Sequence, residues 1–171
     1  MKGYVQVYTG NGKGKTTAAL GLAIRATGAG LRVFIAQFVK GMDYSELGAL
    51  RRLSDLITLK QYGRDCFIYQ KPTHEDIVAA RQGLEEVREA ICSGSYSLVI
   101  LDEANIATYY GLFSVDELLA LFDAKPDSVE LVVTGRYADE RVMQKADLVT
   151  EMREVKHAYQ KGILAQRGIE Y

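Results

Sequence analysis

The chain opens on an alternating segment, Tyr4-Val5-Gln6-Val7-Tyr8, followed by Thr9-Gly10-Asn11-Gly12-Lys13-Gly14-Lys15-Thr16-Thr17 and an Ala/Leu-rich run beginning at Ala18. Strand, glycine loop, lysine, hydroxyl and helix, in that order, is what a nucleoside-triphosphate cradle requires. The glycines let backbone N–H groups converge on phosphate oxygens. The helix N-terminus adds a partial positive charge and Lys15 a full one. The Thr16 hydroxyl is placed to ligate Mg2+. The motif G-x-x-x-x-G-K-[ST] wants glycine at position 9, where this chain has Thr9, and Gly10 comes one residue late. Either the first turn of the loop is tighter, or Thr9 takes the backbone geometry that glycine usually supplies. The plain alternative is a glycine-rich hairpin turn carrying two surface lysines.

The rest of the chain alternates strand and helix. Strands are expected at Tyr4–Tyr8, Arg32–Phe38, Leu56–Gln61, Leu98–Leu101, Val129–Thr134 and Leu148–Met152, the last as a core strand. Helices are expected from Lys15 to about Thr27, over Ser45–Ser54, from Thr73 to Cys92, from Ser114 to Phe122 and over Asp139–Lys145. Gly28-Ala29-Gly30 is a C-cap for the first helix. Thr73-His74-Glu75-Asp76 and Ser114-Val115-Asp116-Glu117 are capping-box signatures. Leu98-Val99-Ile100-Leu101 is a continuous apolar run, as expected of a strand buried on both faces. Gly63–Lys71 reads as a loop, and Gly162 and Gly168 suggest short extended pieces joined by turns.

This order implies an α/β fold: a mostly parallel sheet with helices on both faces, RecA-like among P-loop NTPase folds. Strand C-termini then gather along one edge, where ligands bind. Three polar clusters fall there: Thr9–Thr17, Asp102-Glu103 and Thr134-Gly135-Arg136.

At 171 residues the sequence fits one domain. A net charge of −1 argues against nucleic acid or an anionic membrane as an obligate partner. No apolar run approaches the roughly 20 residues that span a bilayer. Met1-Lys2-Gly3 leads straight into the first strand, so no signal peptide is expected. Cys66 and Cys92 read as reduced bystander thiols of a cytoplasmic protein. His74 and His157 are too few and too separated for a zinc site.

Asp102 and Glu103 end an apolar strand, the Walker B arrangement. A carboxylate there holds Mg2+, directly or through water, opposite Thr16; otherwise the pair caps the next segment. Arg136, just past a buried strand, either touches a phosphate oxygen or is a surface arginine. Arg25, on the first helix, reads by itself as a solvent or interface residue. Phe67 and Tyr69 either pack locally or line a pocket for a flat ligand.

Together these residues resemble the P-loop corrinoid adenosyltransferases, which act on cob(I)alamin or cob(I)yrinic acid a,c-diamide. The loop from Tyr8 to Ala19 is similar to that family's shortened phosphate loop, Thr9 included. So are Gln37-Phe38-Val39-Lys40-Gly41, Leu101-Asp102-Glu103-Ala104-Asn105, Thr134-Gly135-Arg136, Ala146–Met152, Lys156-His157 and Gly162–Tyr171. The resemblance covers nearly the whole chain.

It implies that ATP and a cob(I) corrinoid give an adenosylcorrinoid and triphosphate, in cobalamin biosynthesis or salvage. ATP would lie along the loop in the reverse sense, its 5′ carbon facing the corrinoid. Lys15 would be catalytic. Thr9, Gly10, Asn11, Gly12, Lys13, Gly14, Lys15, Thr16, Thr17, Arg25 and Arg136 would bind ATP, and Thr16, Asp102 and Glu103 would hold Mg2+. Phe67 and Tyr69 would displace the lower axial ligand of cobalt, easing reduction of cob(II). The family further implies a homodimer and an electron donor such as a reduced flavoprotein. Longer members carry an N-terminal extension that folds over the corrinoid, and by the resemblance this chain is expected to lack it. Two other functions compete on the residues alone. One is a P-loop ATPase or small-molecule kinase using Asp102 or Glu103, with ADP as product; the other is a non-catalytic carrier of nucleotide or corrinoid.

Overall fold

The computed structural model describes residues 2–41, 44–63, 71–156, 162 and 164–169. Six strands form one all-parallel sheet: β1 (Val5–Thr9), β2 (Val33–Phe38), β3 (Ile57–Tyr62), β4 (Leu98–Asp102), β5 (Glu130–Thr134) and β6 (Leu148–Glu151). Their order across the sheet is β3-β2-β4-β5-β1-β6. The helices are α1 (Lys15–Gly28), α2 (Ser45–Leu50, continued by a 3-10 turn), α3 (His74–Cys92), α4 (Ala104–Tyr109), α5 (Val115–Ala124) and α6 (Glu140–Lys145). This is the α/β, RecA-like arrangement that the strand–helix alternation implies.

The period-2 alternation of strands sends neighbouring residues to opposite layers. Val99 and Leu101 join the layer under α3 to α6, with Phe34, Ala36, Phe38 and Val133. Leu98 and Ile100 join the other layer, packing with Val132 and with Ala19, Ala23 and Ala26 of α1. The alanine face lets α1 sit close to the sheet, which brings the glycine loop over the strand ends. Both capping boxes form, Thr73 with Asp76 and Ser114 with Glu117.

Two expectations need correcting. The sixth strand is not a core strand: all four residues of β6 are exposed, because β6 is an edge strand that pairs, among the described residues, with β1 alone. And α4, a single short helix directly after β4, was not foreseen. Its six residues are too few to show a helical period, and Glu103 must enter the left-handed region (φ +60°) to start it.

Candidate active site

Four adjacent strands, β2, β4, β5 and β1, deliver their C-terminal ends to one cleft. After β1, Gly10 takes φ +93° and Gly14 takes φ +118°. Thr9 stays in the strand, buried, its Oγ1 accepting from the Ala138 amide at 3.4 Å. The missing first glycine of the motif is therefore supplied one residue later, by Gly10. Gly10 and Gly12 both lie against the chain leaving β6: the Gly12 amide donates to the Met152 carbonyl oxygen at 2.6 Å, and the Met152 amide to Thr9 O at 2.8 Å.

Gly14 is the N-cap of α1 and offers no side chain to its first turn, which also holds no acidic residue. The open backbone donors of a 14-residue helix therefore face the cleft. Lys15 is buried, and its Nζ donates to the carbonyl oxygens of Gly10 and Gly12, both at 2.7 Å. Burial, then the nearby Arg136 charge, pull the Lys15 ammonium below the ordinary lysine range against the opposing pull of Glu103 and Asp102.

Asp102 ends β4 and is 1% exposed. Its Oδ1 accepts from the Thr16 hydroxyl at 2.8 Å and the Thr134 hydroxyl at 2.7 Å. Its Oδ2 accepts from Lys40 Nζ at 2.7 Å and the Gln37 amide at 3.3 Å. A buried carboxylate with one ion-pair partner and three neutral donors is thus fully satisfied. Burial would depress the Lys40 charge, but Asp102 outweighs it and raises Lys40 above its ordinary value. Glu103 lies at the cleft wall. Burial, reinforced by the neighbouring Asp102 charge, pushes its carboxyl above the usual carboxylate range. Gly135, at φ +130°, packs its Cα against α4, and a side chain there would meet Asn105 Cβ at 3.0 Å and Ile106 N at 3.1 Å. The buried Asn105 Oδ1 has no partner among the described residues.

The cleft has a volume of about 460 Å3. Gly12, Lys13, Gly14, Lys15, Thr16 and Thr17 form its floor, and Lys40, Glu103 and Arg136 its walls. An adjoining cavity of about 680 Å3 shares Thr16, Thr17 and Lys40 and runs along α1 past Leu20 and Ile24. Asn11 is exposed, and Asp102 sits behind Thr16. Arg25 is exposed on α1, ten residues and therefore about 15 Å along the helix from Lys15, and lines neither cavity. Phe67 and Tyr69 lie outside the described residues. Sequence reasoning gave Lys40 and Gln37 no role. Their signal was positional: Gln37 is in register with Asp102 across the β2–β4 pair.

No group of three or more metal-binding His, Cys, Asp or Glu side chains occurs among the described residues. The Thr16 side of the cleft, backed by Asp102, does fit Mg2+. Mg2+ needs few protein ligands when phosphates and water complete its shell. Thr16 has committed its hydrogen to Asp102, which leaves its oxygen as an acceptor. No helix is long and apolar enough to cross a membrane among the described residues.

The family described as ATP:corrinoid adenosyltransferase BtuR/CobO/CobP matches residues 1–171 of the chain. The corrinoid adenosyltransferase of Pseudomonas aeruginosa is 36% identical over 171 residues, covering 99% of this chain and 84% of that protein. That of Escherichia coli K12 is 34% identical over 172 residues, covering 99% of this chain and 86% of that protein. That of a Sinorhizobium species is 36% identical over 173 residues, covering 99% and 81%. The chain belongs to the ATP:corrinoid adenosyltransferase family.

Proposed function

We propose, with that membership as the premise, that this chain transfers the 5′-deoxyadenosyl group of ATP to the cobalt of a cob(I) corrinoid and releases triphosphate, within cobalamin metabolism. The observation that carries the reading is the family match over the whole chain. The site chemistry agrees with it. Reduced cobalt is electron-rich and carries no proton, so no general base is needed. The C5′–O bond breaks, its electron pair leaves with the triphosphate, and cobalt's pair forms the new Co–C bond. What the protein must do is hold a departing polyanion.

Lys15 and the open amides at the start of α1 suit that task. When the triphosphate enters, its oxygens replace the Gly10 and Gly12 carbonyls as acceptors for the Lys15 ammonium. Arg136 stands at the wall to take a further oxygen. Thr16, with Asp102 and Glu103 near it, would hold Mg2+, which when bound supplies positive charge to the triphosphate. Asp102 keeps the Thr16 hydroxyl turned so that its oxygen accepts. The nucleotide lies in the reverse sense along the loop, its 5′ carbon outward. Thr9 to Thr17, Arg25 and Arg136 are the proposed ATP contacts; for Arg25, which lies away from the cleft, the resemblance is the only support. Phe67 and Tyr69 act on the lower face of the corrinoid. A homodimer, an electron donor such as a reduced flavoprotein and a cytoplasmic setting belong to the same proposal, as does a single domain over residues 1–171.

Incubation with ATP, Mg2+ and chemically reduced corrinoid tests it. The expected result is the visible spectrum of an adenosylcorrinoid and one triphosphate per adenosyl group. ADP as the product, with no adenosylcorrinoid band, would move the chain to the ATPase or kinase class, which the relatives do not favour.

A further inference from the structure

Lys40 is placed with more care than a surface lysine needs. The residue before it, Val39, holds φ +59°, a left-handed conformation that β-branched residues rarely adopt. Backbone strain of this kind concentrates at functional sites. The strained turn is backed by Gly63, just past β3. A side chain there would lie 2.6 Å from Lys40 N and 2.8 Å from Val39 C, so only glycine fits. The turn sends the Lys40 side chain inward until it is 13% exposed. There the Tyr44 ring centroid lies 5.1 Å from Nζ, and Glu46 Oε1 lies 3.9 Å away.

Lys40 lines both the cleft and the cavity adjoining it. Asp102 is its only hydrogen-bond acceptor among the described residues, at 2.7 Å. An ammonium has three donors, so two make no hydrogen bond to the described residues. Asp102, for its part, does not depend on Lys40 alone. If the ammonium left, Oδ1 would keep the Thr16 and Thr134 hydroxyls and Oδ2 the Gln37 amide. Gln37 is itself held by the Gln61 amide at 3.1 Å. With its cation gone, the carboxylate would still hold three neutral donors.

We propose that Lys40 is a second triphosphate-binding cation, parked on Asp102 while the cleft holds no polyanion and turning to the triphosphate when one enters. The inference rests on the adenosyl-transfer reading, in which the whole triphosphate leaves and its charge must be met along its full length. Lys15 meets it from the loop and Lys40 from the end of β2. The movement is a rotamer change of a side chain already at the cleft wall, and the strained turn stays where it is.

Calorimetric titration of inorganic tripolyphosphate into metal-free protein tests this without corrinoid. Lys40→Met is expected to weaken tripolyphosphate binding by about tenfold or more, the loss of one charge-assisted contact. Adenosine binding should stay unchanged. Asp102→Asn should tighten tripolyphosphate binding by untying Lys40, and the tightening should vanish in the Asp102→Asn, Lys40→Met double variant. Wild-type affinity in Lys40→Met, or tightening that survives in the double variant, overturns the proposal. If a thermal melt shows Lys40→Met unfolded, Asp102→Asn alone decides, since unchanged affinity there also overturns it. Normal tripolyphosphate behaviour with no adenosylcorrinoid formed would instead count against the transfer reading.

Discussion

The Gly12 amide donates to the Met152 carbonyl oxygen at 2.6 Å, fastening the glycine loop to the chain that leaves the edge strand β6. A side chain at position 12 would lie 2.7 Å from that oxygen and 2.9 Å from Arg153 C and O. The loop and the chain leaving the edge strand are therefore held in close contact. Gly12→Ala should push them apart, costing about 1–3 kcal/mol of stability by overpacking. It should also weaken triphosphate binding. Chemical denaturation together with ATP titration checks both, and a variant as stable and as tight as wild type would show that the loop gives way freely.

Lys15→Ala removes a full positive charge on the loop floor, tied to the Gly10 and Gly12 carbonyls. The loss should fall on the departing triphosphate, lowering kcat/KM for ATP by about a hundredfold or more. Steady-state kinetics at saturating reduced corrinoid gives the answer.

Phe67→Ala separates two steps. It should leave transfer to pre-reduced cob(I) near wild type and impair the reaction that starts from cob(II), because the aromatic pair is proposed to ease reduction. Parallel assays from the two oxidation states check this, and equal losses would remove the axial-ligand role.

Much of this architecture was legible in the sequence. β1, the glycine loop and α1 were readable because turn chemistry, lysine spacing and an alanine face all agree locally. Asp102 was readable because an apolar run ends there. What escaped was non-local. Lys40 reaches Asp102 only because β2 and β4 are neighbours in register, and a strand order cannot be read from one sequence. The Leu148-Val149 pair looked like core because its composition is apolar, while its exposure follows from its place at the sheet edge. The substitution of Gly10 for the usual glycine at position 9 was left open by the sequence and resolved by φ angles.

Gly83 sits inside α3, where alanine ordinarily stabilises by up to about 1 kcal/mol. Here an added Cβ would meet the Tyr62 ring at 2.5–2.9 Å. Tyr62 is stacked on Phe38, with ring centroids 5.7 Å apart. Gly83→Ala should therefore destabilise, by about 1–3 kcal/mol, and a rise in Tm would contradict the packing.

Glu86 contributes an acid-side pH dependence to stability. Its Oε2 accepts from Lys60 at 2.5 Å and from the Tyr62 hydroxyl at 2.8 Å, and its Oε1 from Gln82 at 3.0 Å. These bonds, that from Lys60 first, hold its pKa at about 2, below the ordinary 4.5. A carboxyl depressed in the folded state stabilises fully above its unfolded pKa and loses that stabilisation as pH falls through the folded one. Stability should thus decline between about pH 4.5 and pH 2, less steeply in Glu86→Gln. High salt should shrink the difference, because Lys60 is half exposed. Urea melts across this range measure it.

In the proposed reaction the bond broken lies between the ribose 5′ carbon and its oxygen. ATP carrying 18O in the C5′–O–P bridge, incubated with reduced corrinoid and this protein, reveals which bond breaks by mass spectrometry of the products. The label should leave in inorganic triphosphate. Label retained on a nucleoside or nucleotide product, with phosphate or ADP accumulating, would contradict it.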